Sequence, residues 1–254
     1  MYLKRILYYF AVVIFSLSYA FVYSEDAPPR GLTVNLFQVA VGRAQEFEQV
    51  SMKFKAAADK IKSPEYFGYS PGIGNNDLYA FVSPFNSYQE FATQQNVLAE
   101  VYEGEELAEI GQMFQDSVTS TDSYVIVPRP DLGIAGPEFE TPPEILLLIA
   151  VTVKNGMGLQ FEAYLEKLVE ATKATAPDLY YNAFQPGLGS GLIWRFGIAQ
   201  NWVDLDTQPK PIPQRLTEHF GRRNGERIFQ DGQDAIESVE FTVSRFRPDL
   251  SHSN

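Results

Sequence analysis

The sequence predicts an α+β fold in which one unit is used twice along a single chain. Three observations predict it. Motifs recur at a fixed spacing, apolar runs alternate between strand and helix periodicity in the same order in both halves, and a glycine- and proline-bearing segment lies between the halves. Pro71-Gly72-Ile73-Gly74 recurs as Pro186-Gly187-Leu188-Gly189, and Phe114-Gln115-Asp116 as Phe229-Gln230-Asp231, both 115 residues apart. Asn86-Ser87-Tyr88 aligns with Asn201-Trp202-Val203 at the same spacing. Arg129-Pro130-Asp131-Leu132 recurs as Arg247-Pro248-Asp249-Leu250, three residues further on.

Each half reads in the same order. An apolar run comes first, Leu32 to Val41 and Ile145 to Val153, with the character of a strand. A helix follows, with Phe47, Val50, Phe54 and Ile61 on one face in the first half. In the second half Phe161, Tyr164, Leu165, Leu168, Val169 and Thr172 share a face. A second strand carries aromatics, Tyr66, Phe67 and Tyr69 against Tyr180, Tyr181 and Phe184. The Pro-Gly-x-Gly turn then leads into a third strand, Leu78 to Ser83 and Leu192 to Ile198. One or two helices reach Asp116 and Asp231, and a last strand closes each half, Ser123 to Val127 and Ser238 to Ser244. Strand–helix–strand–strand–helix–strand is the order of a split βαβ, or ferredoxin-like, unit. The expected boundaries are 31–132 for the first unit, 133–143 for a linker holding Gly136, Pro137, Pro142 and Pro143, and 144–250 for the second.

Residues 1–24 have the three parts of a secretory signal: a basic start at Lys4 and Arg5, an apolar run from Ile6 to Tyr23 broken by Ser16 and Ser18, and small residues that frame cleavage after Ala20 or Ser24. The run is just short of a usual bilayer span, so an uncleaved anchor is the alternative. Both place the rest of the chain across a membrane, in a periplasm or outside the cell, and only an uncleaved segment would hold it to the membrane.

The net charge of −12 becomes −14 when the segment with Lys4 and Arg5 is removed. Such a surface repels nucleic acid and anionic lipid. With no cysteine, disulfides, thiol nucleophiles and thiolate metal sites are excluded. Pro-Gly-x-Gly lies between two strands and opens no helix, so it is not a phosphate loop. Gly187-Leu188-Gly189-Ser190-Gly191 has the wrong order for a nucleophile elbow. No calcium loop is present, and no His spacing suits a metal.

The architecture resembles the dimeric α+β barrel superfamily, which includes antibiotic-biosynthesis-type monooxygenases and chlorite-dismutase-like heme proteins. The resemblance covers most of the chain after the N-terminal segment and rests on the element order above. One local similarity joins it: the monooxygenases often carry an aromatic-x-x-acidic-apolar run after the third strand, which Tyr88, Glu90 and Phe91 in one half and Trp202, Asp204 and Leu205 in the other roughly fit, with one residue between aromatic and acid. The histidine that follows this run in the monooxygenases is missing from both. The resemblance implies that the two sheets pack face to face as an intramolecular α+β barrel, with ligands inside it or between sheet and helices.

The candidate site residues lie on the third strands and one helix. Trp194 with Phe196, and Tyr79 with Phe81, form matching aromatic stripes that either line an apolar barrel cavity or fill the interface between two sheets. Arg195 faces the other side of its strand, and its equivalent is Ala80. It would orient an anionic or carbonyl group, or lie exposed at a sheet edge. His219 sits in a helix near Arg222 and Arg223. The resemblance implies the proximal iron ligand of a heme for it, and a surface helix position is the plainer reading. His252 falls in a polar tail expected to be unstructured. The leading expectation is an exported module without a cofactor that binds a small apolar molecule or a protein partner. The alternative is a barrel-type oxidoreductase, cofactor-independent or heme-dependent. Two such units in one chain suggest a monomer or a low homo-oligomer.

Overall fold

The computed structural model describes residues 29–73, 77–89, 96–136, 143–207 and 209–253. The signal segment, Gly74, Glu90, Phe91 and linker residues 137–142 lie outside them. Among the described residues no helix is long and apolar enough to cross a membrane. The fold is mixed α and β. The strands are β1 (Gly31–Val39), β2 (Tyr66–Ile73), β3 (Leu78–Phe85), β4 (Val118–Pro128), β5 (Ile145–Val153), β6 (Asn182–Pro186), β7 (Ile193–Gln200) and β8 (Ile236–His252). The helices are α1 (Ala44–Ile61), α2 (Val97–Val101), α3 (Gly104–Ser117), α4 (Gly158–Thr175), α5 (Ile212–Phe220) and α6 (Arg222–Ala235).

The chain divides into two compact units. Unit 1 runs to Val125 and takes in the residues from Arg245 onward, and unit 2 is Ile126–Ser244. The divisions fall inside β4 and β8, not in the 133–143 segment. Both strands are longer than the sequence pattern suggested, because polar residues continue the extended backbone: Val118–Asp122 before the apolar run of β4, and Arg245–His252 after that of β8. The hydrogen-bonded strand order is β1-β3-β2-β8-β5-β7-β6-β4, closing on itself. Unit 1 thus reads β4-β1-β3-β2-β8, and unit 2 reads β8-β5-β7-β6-β4.

The central pairs are antiparallel in both units. In unit 1, β1 and β3 run in register from Gly31↔Phe85 to Gln38↔Leu78. In unit 2, β5 and β7 run from Ile145↔Gln200 to Thr152↔Ile193. In each unit the helices cover one face of the sheet. In unit 1 that core holds Val50, Ala57, Ala58, Tyr66, Leu98 and Ile110, with a second cluster of Phe37, Val39, Phe47, Tyr79 and Leu250. In unit 2 it holds Val151, Val153, Phe161, Leu165, Trp194, Phe196 and Leu216. The first helix of each unit starts from the same turn. Gly42 and Gly156 both have φ near +80°, a conformation costly for residues with a Cβ. The amides of Arg43 and Met157 then donate back to the carbonyls of Ala40 and Lys154.

Candidate functional site

Strand alternation sorts the candidates. In unit 2, Trp194 and Phe196 point to the helix side, where Trp194 meets Phe161 edge-on at 5.7 Å and Phe196 meets Tyr181 at 6.0 Å. In unit 1, Tyr79 packs on Phe47 at 4.7 Å and Phe81 on Phe37 at 5.7 Å, again on the helix side. All four pack between sheet and helices, which corrects the expectation that they fill an interface between two sheets: strand alternation turns them to the face that the helices cover.

Arg195 points the other way. It is cross-strand neighbour to Ala150 on β5 and Phe184 on β6. The same face carries Leu146 and Leu148, and a Cβ at Gly197 would meet Leu146 at 3.3 Å and Phe184 at 3.8 Å. Leu146, Leu148 and Ala150 are half-buried, whereas Arg195 is 6% exposed. It is therefore not exposed at a sheet edge. Nη1 donates to Ser190 Oγ at 2.6 Å and to the Ile193 carbonyl at 3.1 Å. Ser190 lies in the Gly-rich turn before β7, so the turn that looked purely conformational in sequence also holds the guanidinium. Arg195 brings to this apolar strand face a cation whose N–H groups suit a carboxylate or carbonyl.

The structure also gives chemistry to a repeat that the sequence left without a role. In unit 1, Arg247 holds Asp249 through Nε at 2.9 Å and Nη2 at 2.7 Å, and holds Glu48 of α1 through Nη1 at 2.5 Å and Nη2 at 3.0 Å. Tyr79 Oη donates to the same Glu48 oxygen at 2.7 Å. In unit 2, Arg129 holds Asp131 through Nε at 2.9 Å and Nη2 at 2.7 Å, Glu162 of α4 at 2.6 Å and Gln185 of β6 at 3.0 Å. Its Cζ lies 5.9 Å from the centroid of the Trp194 ring. Leu132 and Leu250, the last residues of the two motifs, are 1% and 0% exposed. The Arg247 bond holds the Glu48 carboxyl below its ordinary value of 4.5 despite burial, with Tyr79 adding to the effect. Arg129 and Arg247 act likewise on Asp131 and Asp249. Glu48 and Glu162 were missed in sequence because a lone helical Glu carries no signal; the doubled Arg-Pro-Asp-Leu was the available clue.

The two histidines differ from expectation in opposite ways. His219 Nε2 meets Glu170 Oε1 of α4 at 3.1 Å, with a side chain 28% exposed, and the ring stacks edge-on against Phe220 at 4.5 Å. This imidazole is thus paired with a carboxylate on the helix surface. Among the described residues no group of three or more metal-binding side chains converges. His252 is ordered at the end of β8 and 4% exposed, which corrects the expectation of an unstructured tail. Its Nε2 donates to the Ser63 carbonyl at 2.8 Å and its Nδ1 meets Asp59 at 2.6 Å. A ring with both nitrogens satisfied is held in place, and the backbone around it with it.

No protein-family model matches the chain, and no curated protein matches it. Solved structures do. A candidate monooxygenase from Fusobacterium nucleatum is 13% identical with a TM-score of 0.50, over 87% of this chain and 94% of its own. An anthrone oxidase-like protein is 13% identical with a TM-score of 0.51, over 86% and 92%. A variant of chlorite dismutase from Candidatus Nitrospira defluvii is 10% identical with a TM-score of 0.50, over 88% and 93%. At these identities the likeness is one of fold, that of the dimeric α+β barrel proteins.

Proposed function

We propose that this chain is an exported tandem duplication of a ferredoxin-like unit that binds a small, mostly apolar molecule bearing an acidic or carbonyl group. One observation carries the reading: a buried arginine, Arg195, on the helix-free strand face of unit 2 among Leu146, Leu148, Ala150 and Phe184, where the equivalent residue of unit 1 is Ala80. Apolar walls with one or two placed polar groups are the usual make-up of a small-molecule site. The apolar body would rest on the leucines and Phe184, and the guanidinium would take the polar end. Export rests on the basic, apolar and small-residue order of the first 24 residues, and the duplication on the matching motifs and turns.

The probe that tests this is 8-anilinonaphthalene-1-sulfonate, an aromatic body with one anionic group. Saturable fluorescence enhancement by the folded full chain is expected, with the apparent affinity about tenfold weaker in Arg195→Leu, since each 1.4 kcal/mol of lost interaction is tenfold. Equal binding by both proteins, at unchanged thermal unfolding, would remove Arg195 from the site. The descriptions of the structural neighbours favour a second reading, an oxidoreductase of the same fold. Its signature would be dioxygen consumption by the protein with a bound aromatic substrate, or a heme-like absorption band in protein from its native compartment.

A further inference from the structure

A different group of residues in unit 2, on the helix side of the sheet, buries a cation and polar atoms that lack partners. Arg215 of α5 is 6% exposed. Its Nη1 donates to Thr172 Oγ1 of α4 at 2.6 Å, while its Nε is buried without a partner. Among the described residues no carboxylate forms an ion pair with it. Tyr181, just before β6, also buries a hydroxyl without a partner. Tyr164 of α4 completes the group, with its ring lying against the Cα of Gly232 in α6. Tyr164, Tyr181 and Leu216, the residue next to Arg215, belong to one buried cluster, so the three groups share one neighbourhood. Burial pushes the Tyr181 and Tyr164 phenols up to about 12, and the positive charge of Arg215 acts in the opposite direction on both. Burial likewise holds Arg215 below its ordinary range.

Buried polar groups in folded proteins are almost always paired, and a lone buried cation is costly. The Tyr181 hydroxyl can accept as well as donate, but the Arg215 Nε–H only donates, so its missing partner is an acceptor, and the unbalanced charge makes it negative. Unit 1 shares part of this group and not the rest: Tyr66, at the position of Tyr181, also buries a hydroxyl without a partner, but at the α1 positions equivalent to Tyr164 and Thr172 unit 1 has Val50 and Ala58.

We propose that unit 2 binds a small monovalent anion, a halide or the carboxylate of an organic acid, on Arg215 Nε and Tyr181 Oη between α4, α5 and the start of β6. This site is separate from the Arg195 face and stands whether or not that face binds a ligand. Its occupant serves as the counter-ion that lets Arg215 remain charged in the core.

The test uses the full chain with bromide and acetate as probes. Thermal unfolding midpoints are followed as each anion replaces sulfate at constant ionic strength, in the wild type, Arg215→Met and Tyr181→Phe. Subtracting the Arg215→Met response removes general salt effects. Bromide or acetate is expected to raise the wild-type midpoint and to leave Arg215→Met unmoved. Tyr181→Phe, which keeps the charge, should weaken the apparent affinity about tenfold, the size expected for a hydrogen bond to a charged group. Bromide-soaked crystals should show an anomalous peak within hydrogen-bonding distance of Arg215 Nε. Native mass spectrometry distinguishes the sources: an organic acid retained by the wild type and lost from Tyr181→Phe identifies a carboxylate, and its absence beside a bromide response identifies a free halide. If the wild type and Tyr181→Phe respond alike to every anion, no anomalous peak appears and no acid is retained, the donors are met by water and the proposal is overturned.

Discussion

Glu48 shows how much can depend on one carboxylate. It accepts from both Arg247 and Tyr79, and its side chain is 26% exposed. Its proton affinity is lowered on folding, so the unfolded chain binds more protons in acid than the folded one. The stabilisation is therefore complete above the ordinary value of 4.5 and is lost as the pH falls through the lower folded value. Glu48→Gln should cost about 1–2 kcal/mol at pH 7, and less as the pH drops towards 3. Urea unfolding across that range measures this; a cost that does not change with pH would mean that the ion pair contributes little and the packing of the side chain most. Asp59 is also held below its ordinary value, because its bonds from Lys55 and His252 outweigh the opposing effect of burial. His252 illustrates why single-residue reading fails. Ser-His-Ser-Asn looks like a tail in sequence, and only the carbonyl of Ser63 and the carboxylate of Asp59, 189 and 193 residues away, make it a core position.

At the scale of elements, the Arg-Pro-Asp-Leu segments that follow β4 and lie near the end of β8 act as latches. Each delivers an arginine to the glutamate of a first helix, Glu162 or Glu48, and then a leucine to a core cluster. Leu132→Ala and Leu250→Ala should each cost about 2–5 kcal/mol, the range for emptying a fully buried leucine site. Arg129→Ala and Arg247→Ala should cost less, about 1–3 kcal/mol, because both ion pairs are partly solvated. Thermal or urea unfolding of the four variants checks this, and losses under about 0.5 kcal/mol for both leucines would show that these segments are not latches. Most elements were legible in the sequence because helix and strand periodicity is strong: β5 begins and ends where the apolar run Ile145–Val153 does. The full lengths of β4 and β8 were not, because Val118–Asp122 and Arg245–His252 are largely polar stretches whose extended form comes from pairing with other strands. The site was half legible. Alternation placed Trp194 and Arg195 on opposite faces, yet Ser190 and the Arg215 group depend on contacts that leave no periodic trace.

At the scale of the whole molecule, the strand order decides how the chain associates. A sheet with an unpaired edge invites another strand. In unit 1 the outer side of β2 is taken by β8, and in unit 2 that of β6 by β4, where Ile126↔Pro186 to Pro128↔Phe184 pair. On their other sides β1 and β5 are flanked by β4 and β8. Among the described residues each strand therefore has a neighbour on either side from its own chain along at least part of its length. The expected state is a monomer, and sedimentation velocity on the full chain, in detergent if the N-terminal segment is retained, should return one species of 28.6 kDa at every concentration tested. A concentration-dependent dimer would overturn that expectation. The exposed apolar side chains Phe241 and Val239 on β8 are the first place to look, and Phe241→Lys would then dissolve it.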